Sequence, residues 1–196
     1  ADAEFEEIVC TDPHSYNTFT HEYPEMSEAF DYPVSHYTEV VERLVREGRL
    51  DVPASLDRTV TYHDPCHLGR MNDVYEAPRE LVRATGATLA EMPRNRADSF
   101  CCGGGGGGVW TEVEEELKPS EERLREAVAD TDGDVEQFVV ACPMCTTMFE
   151  DGRKTGGFED DVEILDLTEL LVEAMDAGEA AVDGADDTGR TGTAAD

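Results

Sequence analysis

Five of the six cysteines fall between Cys66 and Cys145, in an order suited to a shared metal centre. The run reads Cys66, thirty-four residues, Cys101-Cys102, thirty-nine residues, then Cys142-Pro143-Met144-Cys145. Two sulfurs are sequence neighbours and two are spaced as CxxC, so at least four thiolates converge if the intervening segments fold back. Soft thiolate ligands select zinc or iron–sulfur clusters. Residues 60–65 and 138–141 each read as a buried strand entering a proline-containing turn. That places Cys66 and Cys142 at strand carboxyl ends, the edge at which open α/β sheets bind ligands.

The length of 196 residues allows one or two domains with a real core. Charge is the outlier: 15 basic residues against 46 acidic ones leave a net charge of −31. Lys118 and Lys154 are the two lysines, the remaining cations being arginines, and the acids are spread over every segment. Such a chain looks like a protein of a salt-in halophile, in which salt screens the self-repulsion. Nucleic acid is excluded as a partner, because nothing here could neutralise phosphates. No signal peptide and no bilayer-length apolar run is seen, which predicts a cytoplasmic chain with reduced thiols. The inner face of the cell membrane stays open as a docking place. The first residue is alanine, a few positions before an apolar run, and the expectation is a chain that begins inside a domain.

In order, residues 5–10 read as a strand, 15–22 as a helix and 32–34 as a short strand. Ser35 is expected to cap a helix reaching about Arg46, closed by Gly48. Residues 49–57 read as a linker. A strand before Cys66, a helix over 77–84, a short strand over 89–92 and a glycine-rich loop over 93–108 follow. Then come a helix over 112–129, a strand over 138–141, a helix after Cys145, a strand over 162–165 and a helix over 168–175. From Asp176 onward the composition predicts disorder.

A gapless repeat underlies this order. Shifting the chain by 130 positions lays Val9 on Val139, Asp12-Pro13 on Cys142-Pro143, Ser15 on Cys145, Val34 on Ile164, Thr38-Glu39 on Thr168-Glu169 and Gly48 on Gly178. Residues 1–48 then read as the end of one α/β unit and 58–178 as a complete second copy. The first copy carries Asp12 and Ser15 where the second carries Cys142 and Cys145.

The motifs Asp64-Pro65-Cys66-His67-Leu68-Gly69-Arg70, Phe100-Cys101-Cys102 with glycines 103–108, and Ala141-Cys142-Pro143-Met144-Cys145 resemble the cysteine-rich CCG domain of heterodisulfide reductase. They are similar, too, to the iron–sulfur subunits of glycolate and lactate oxidation and to oxidoreductases serving electron-transferring flavoprotein. The resemblance covers residues 5–175. It implies tandem CCG domains of Rossmann-like parallel α/β fold: residues 1–48 as the C-terminal part of a degenerate first copy truncated at its N-terminus, 49–57 as a linker, 58–178 as the second copy and 179–196 as a disordered acidic tail. It further implies a 4Fe-4S cluster, noncubane in heterodisulfide reductase, with Cys66, Cys101, Cys102, Cys142 and Cys145 as ligands. Here the gap between Cys102 and Cys142 is a little long, and the first copy's CxxC is lost. One-electron relay between a flavoprotein, as subunit or as electron-transferring flavoprotein, and a quinone or other acceptor is therefore expected, with quinone reached through segments or partners outside this chain. Heterodisulfide reductase-like thiol/disulfide catalysis and a non-redox structural zinc domain are the alternatives.

Around these ligands, Gly103, Gly104 and Gly105 are expected to bind the cofactor by packing closely and donating N–H groups to it. A phosphate loop is disfavoured, since no GK[ST] follows the glycines. His63 and His67, flanking Cys66, read as turn residues that hydrogen-bond. His14 reads as a helix-start residue or as one facing the cluster or a partner. Arg70, Arg94 and Arg96 are expected to pair with surface acids. Cys10, Trp110 and Met148 are expected in the core.

Overall fold

The structure is a computed structural model that describes residues 4–54, 56–111, 118–129, 131 and 135–187. Four parallel strands form the main sheet: β3 (Thr59–Tyr62), β4 (Thr88–Leu89), β5 (Gln137–Val140) and β6 (Glu163–Asp166), in the spatial order β4-β3-β5-β6. Helices α4 (Glu76–Ala84), α5 (Pro119–Ala129), α6 (Pro143–Gly156) and α7 (Leu167–Asp187) flank the sheet. Alternate strand residues feed two cores. Val60, Tyr62, Val139 and Leu165 face Leu81 and Val82 of α4 and Leu167, Leu170 and Ala174 of α7. Phe138, Val140 and Ile164 face Leu124 and Ala127 of α5 and Phe149 of α6. Both sheet faces are thus covered, which is why these strands read as continuous apolar runs.

The N-terminal part forms a separate two-stranded parallel sheet of β1 (Ile8–Cys10) and β2 (Val34–His36). Between them run helix α1 (Pro13–Asn17), a π-helical turn (Thr18–Glu22) and helix α2 (Tyr23–Met26); α3 (Tyr37–Arg46) follows β2. The 130-residue shift holds in three dimensions. Ile8 pairs with Val34 as Phe138 pairs with Ile164, and Cys10 with His36 as Val140 with Asp166. Asp12 and Cys142 are both extended N-caps followed by a proline in the first turn. The first helical bond is the same in each copy, Tyr16 N to Asp12 O and Thr146 N to Cys142 O, both 3.0 Å.

Several element boundaries differ from those expected. The helix expected over 15–22 starts at Pro13 and extends to Met26, its π-helical turn preceding Pro24, which has no N–H to continue the α ladder. Helix α6 starts at Pro143 instead of after Cys145, so Cys145 lies in its first turn. His36, not Ser35, caps α3: its Nδ1 accepts from Thr38 N while Glu39 returns a bond to the His36 amide, a reciprocal capping box. Ser35 is instead drawn off by Glu7, to which its hydroxyl donates at 2.5 Å. The second copy repeats the box with Asp166 and Glu169. Disorder from Asp176 is overturned, since α7 runs on to Asp187. The segment expected as a linker explains part of this: Pro53 lies over Gly178, and Leu56 is buried with its N–H bonded to Thr85 O. Residues 112–117 of the helix expected over 112–129, and tail residues 188–196, lie outside the described residues. Trp110, expected in the core, is 89% exposed, because it ends a 3-10 segment (Gly105–Trp110) that leaves the sheet. Cys10 is buried as expected, and Met148 is half-buried against the second core. Among the described residues no helix is long and apolar enough to cross a membrane.

His36 is fully buried and its Nε2 has no hydrogen-bond partner, so burial pushes its pKa down to about 4. Protonation therefore favours the unfolded chain, whose histidine titrates near 6.5. The stability this neutral ring contributes is complete above roughly pH 6.5 and is lost as pH falls toward 4. Urea unfolding should show about 2 kcal/mol lost between roughly pH 6.5 and 5, and His36→Asn should flatten that slope.

Candidate metal centre

The chain direction reverses across the sheet between β3 and β5, since β4 lies to one side and β6 to the other. Ligand crevices form at the carboxyl ends of strands at such a point. Cys66 lies four residues beyond β3 and Cys142 two beyond β5, so adjacent parallel strands deliver both sulfurs to this crevice. Helix α6 adds Cys145 from its first turn, and the loop after β4 adds Cys101 and Cys102.

The five thiols meet in a continuous row: Cys66 to Cys101, Cys101 to Cys102, Cys102 to Cys145 and Cys145 to Cys142. Cys145 donates to Cys102 at 3.4 Å. Cys102, Cys142 and Cys145 are buried, whereas Cys66 and Cys101 are partly open. Protons are shared unequally along the row. Cys101 is driven far below the thiol range by S–H donation from Cys102 and Cys66 and by the Gly103 N–H. Cys142 is lowered to about 7, chiefly by the Cys145 thiol. The donors move the other way: Cys102 is pushed up to about 12, and Cys66 and Cys145 are raised as well. Thiolate is the metal-ligating form.

The glycine loop closes over these sulfurs. Gly103 N–H donates to Cys101 Sγ at 3.3 Å, with φ at +86°, and a Cβ there would lie 3.0 Å from Pro119 Cβ. Gly104 N–H serves Cys102, and a Cβ at Gly104 would lie 2.9 Å from Cγ of both Met144 and Met148. Gly105 stands in the open, with nothing near its Cβ position. Arg94 and Arg96 pair with Glu122, Glu126, Glu76 and Glu91 as expected, while Arg70 instead donates to the carbonyls of Ala97 and Ser99. His63 is buried beside Phe138 and Phe149, its Nδ1 unpartnered, and burial holds it neutral. His14 and His67 lie against each other with ring centres 4.3 Å apart and planes tilted by 37°, at the seam between the two copies.

Sequence reasoning missed the ion pairs that hold the cysteine segments together. Arg79 is fully buried and grips Asp64 with two bonds, at 2.7 and 2.9 Å, and Glu91 with two more. Asp64 Oδ2 also accepts from Arg96 N at 2.7 Å, and Asp64 O accepts from Ser99 Oγ at 3.1 Å. The turn bearing Cys66 is thereby stapled to the segment leading into Cys101. Arg123, also fully buried, pairs with Glu126 at 2.8 Å nearby. The missed signal was phase: Arg79 falls on the apolar face of α4 with Leu81 and Val82, and Arg123 on that of α5 with Leu124 and Ala127.

Residues 60–150 match the family model described as Cysteine-rich domain, CCG. Residues 60–150 are thus a CCG cysteine-rich domain. It is 40% identical over 171 residues to a probable iron-sulfur-binding oxidoreductase FadF of Bacillus subtilis, an alignment covering 86% of this chain and 23% of that protein. To the EtfAB:quinone oxidoreductase of Syntrophomonas wolfei it is 38% identical over 175 residues, covering 86% and 24%. To one subunit of the dihydromethanophenazine:CoB--CoM heterodisulfide reductase of Methanosarcina acetivorans it is 37% identical over 152 residues, covering 76% and 36%. The chain thus spans 23 to 36% of the length of these three relatives.

Removing Asp64 would leave the buried Arg79 guanidinium half-paired. Breaking a buried pair of this kind costs about 3–5 kcal/mol. Asp64→Ala should lower unfolding stability by that amount in chemical denaturation, and a thiol-reagent assay of the metal-free protein should show faster labelling of Cys66 and Cys101.

Proposed function

We propose that this chain is the cluster-binding part of an electron-transfer oxidoreductase, in which Cys66, Cys101, Cys102, Cys142 and Cys145 hold one 4Fe-4S cluster between a flavoprotein donor and a quinone or other acceptor. The row of five thiols at the β3/β5 crevice, each facing the next, carries this reading. The donor set fits the group, being all sulfur and packed against Met92, Phe138 and Phe149, which are buried. A single tetrahedral zinc ion held by sulfur alone fits less well. Its sulfurs would stand roughly 4 Å apart, given Zn–S bonds of about 2.3 Å. Among the described residues no three cysteine sulfurs lie within 4.8 Å of one another. An extended row of this kind suits a multi-metal cluster. Bound there, such a cluster supplies reversible one-electron chemistry.

The protein's own residues set the environment. Gly103 and Gly104 direct N–H groups at the sulfurs, which favours the more negative, reduced state. The partner classes follow from what the relatives' names describe, a quinone oxidoreductase of EtfAB among them. Residues 1–48 are read as the end of a degenerate CCG domain and 58–178 as the complete one. In the degenerate copy Asp12 Oδ2 is taken up by Ser15 N and Ser15 Oγ, at 2.8 and 2.9 Å, so no pair of thiolates is available there for a second cluster. With one cluster, electron relay is favoured over disulfide reduction.

Anaerobic purification followed by metal assay and EPR tests this. About four irons per chain are expected, with Cys101→Ser and Cys142→Ser each abolishing the cluster signal. One zinc per chain, roughly eight irons, or efficient turnover of a mixed disulfide would overturn the reading. The evenly spread charge of −31 further supports adaptation to high salt. Thermal unfolding is then expected at a higher temperature in molar KCl than at low salt, and an unchanged midpoint would contradict it.

A further inference from the structure

The first copy's corner, where cysteines have been exchanged, lies against the second copy's sulfur row. Asp12, His14 and Cys142 each place a ligand atom within 4.8 Å of the other two, which is the only such trio among the described residues. Two members come from the first copy, and the third is fully buried in the second. A nitrogen and a sulfur bound to one metal atom, at bond lengths of about 2.0–2.3 Å, stand within roughly 4.5 Å of each other, so the His14 ring and Cys142 lie nearly as close as two ligands of one metal atom.

His14 has the surroundings of a metal ligand. Its Nδ1 lies 3.0 Å from Asp12 Oδ1. The carboxylate can only accept, so the ring proton belongs on Nδ1 and Nε2 keeps its lone pair. Metal-binding histidines characteristically give their other N–H to such a carboxylate, which fixes the ring and raises its basicity. Asp12 is itself immobilised by the Ser15 amide and hydroxyl. On another side the ring is backed by His67, whose Nδ1 is enclosed without a partner.

We infer that His14, oriented by Asp12, is a nitrogen ligand to the metal centre at the Cys142 end of the sulfur row. The inference rests on the cluster reading above. It gives the exchanged corner a role: the first copy builds no cluster of its own and completes the site of its neighbour.

Pulsed EPR on anaerobically purified protein, grown with 15N-labelled histidine, tests the assignment in the paramagnetic redox state. A histidine nitrogen coupling is expected in the unaltered protein. It should vanish in His14→Ala and in His14→Gln, persist in His67→Ala and His63→Ala, and weaken in Asp12→Ala. The measurement on the unaltered protein needs no variant to fold. An iron-loaded, EPR-active protein lacking the coupling overturns the ligand and leaves the cluster reading standing. Persistence of the coupling in a folded His14→Gln protein does the same. A chain that binds no iron overturns both.

Discussion

Parallel pairing of β3 with β5 is the constraint on which the molecule depends. Val60, Thr61 and Tyr62 lie in register with Gln137, Phe138 and Val139, and every one of these residues is buried. Two strands far apart in the chain thereby end side by side, and the turns that follow carry Cys66 and Cys142 to one crevice. Pairing alone leaves the loop bearing Cys101 and Cys102 free to swing. Asp64 closes that gap, because one carboxylate and its backbone carbonyl bind Arg79, Arg96 and Ser99 together. A buried guanidinium is destabilising unless its donors are used, and Arg79 directs its donors to Asp64, Glu91 and Tyr75 O.

The two copies separate fold from chemistry. Strand register, the proline in the first turn and the capping boxes of α3 and α7 are shared, and none of these features needs sulfur. At the one position where the needs conflict, the copies diverge. Asp12 accepts a well-formed hydrogen bond from Ser15 N and so caps its helix, whereas Cys142 forms no such cap bond, and the Cys145 and Met144 N–H groups that face its sulfur help to hold it as a thiolate. Aspartate is among the best N-caps, so the exchange gives up ligand capacity for local helix stability. Past Gly48 the copies part again, with α3 ending and α7 continuing beneath the segment that joins them.

Much of this architecture was legible in the chain. Cysteine order, the apolar runs of β3 and β5 and the proline turns are local signals, and they placed the sulfurs at strand ends because backbone pairing and burial follow directly from them. The 130-residue repeat was legible for the same reason, since the same side-chain pattern builds the same unit. Other features depended on neighbours distant in sequence. Whether Ser35 or His36 caps α3 was decided by Glu7, which takes the serine hydroxyl. Trp110 carries no mark in sequence of whether core awaits it, and the 3-10 segment leads it outward. Arg79 falls in phase with Leu81 and Val82, but only the fold brings Asp64 and Glu91 against its guanidinium. The proximity of Asp12 and His14 to Cys142 crosses from one copy to the other. Sequence determined which atoms can ligate and which segments can pair, because those are properties of short stretches of chain. Tertiary structure decided which of those atoms meet, because that depends on how the two copies pack.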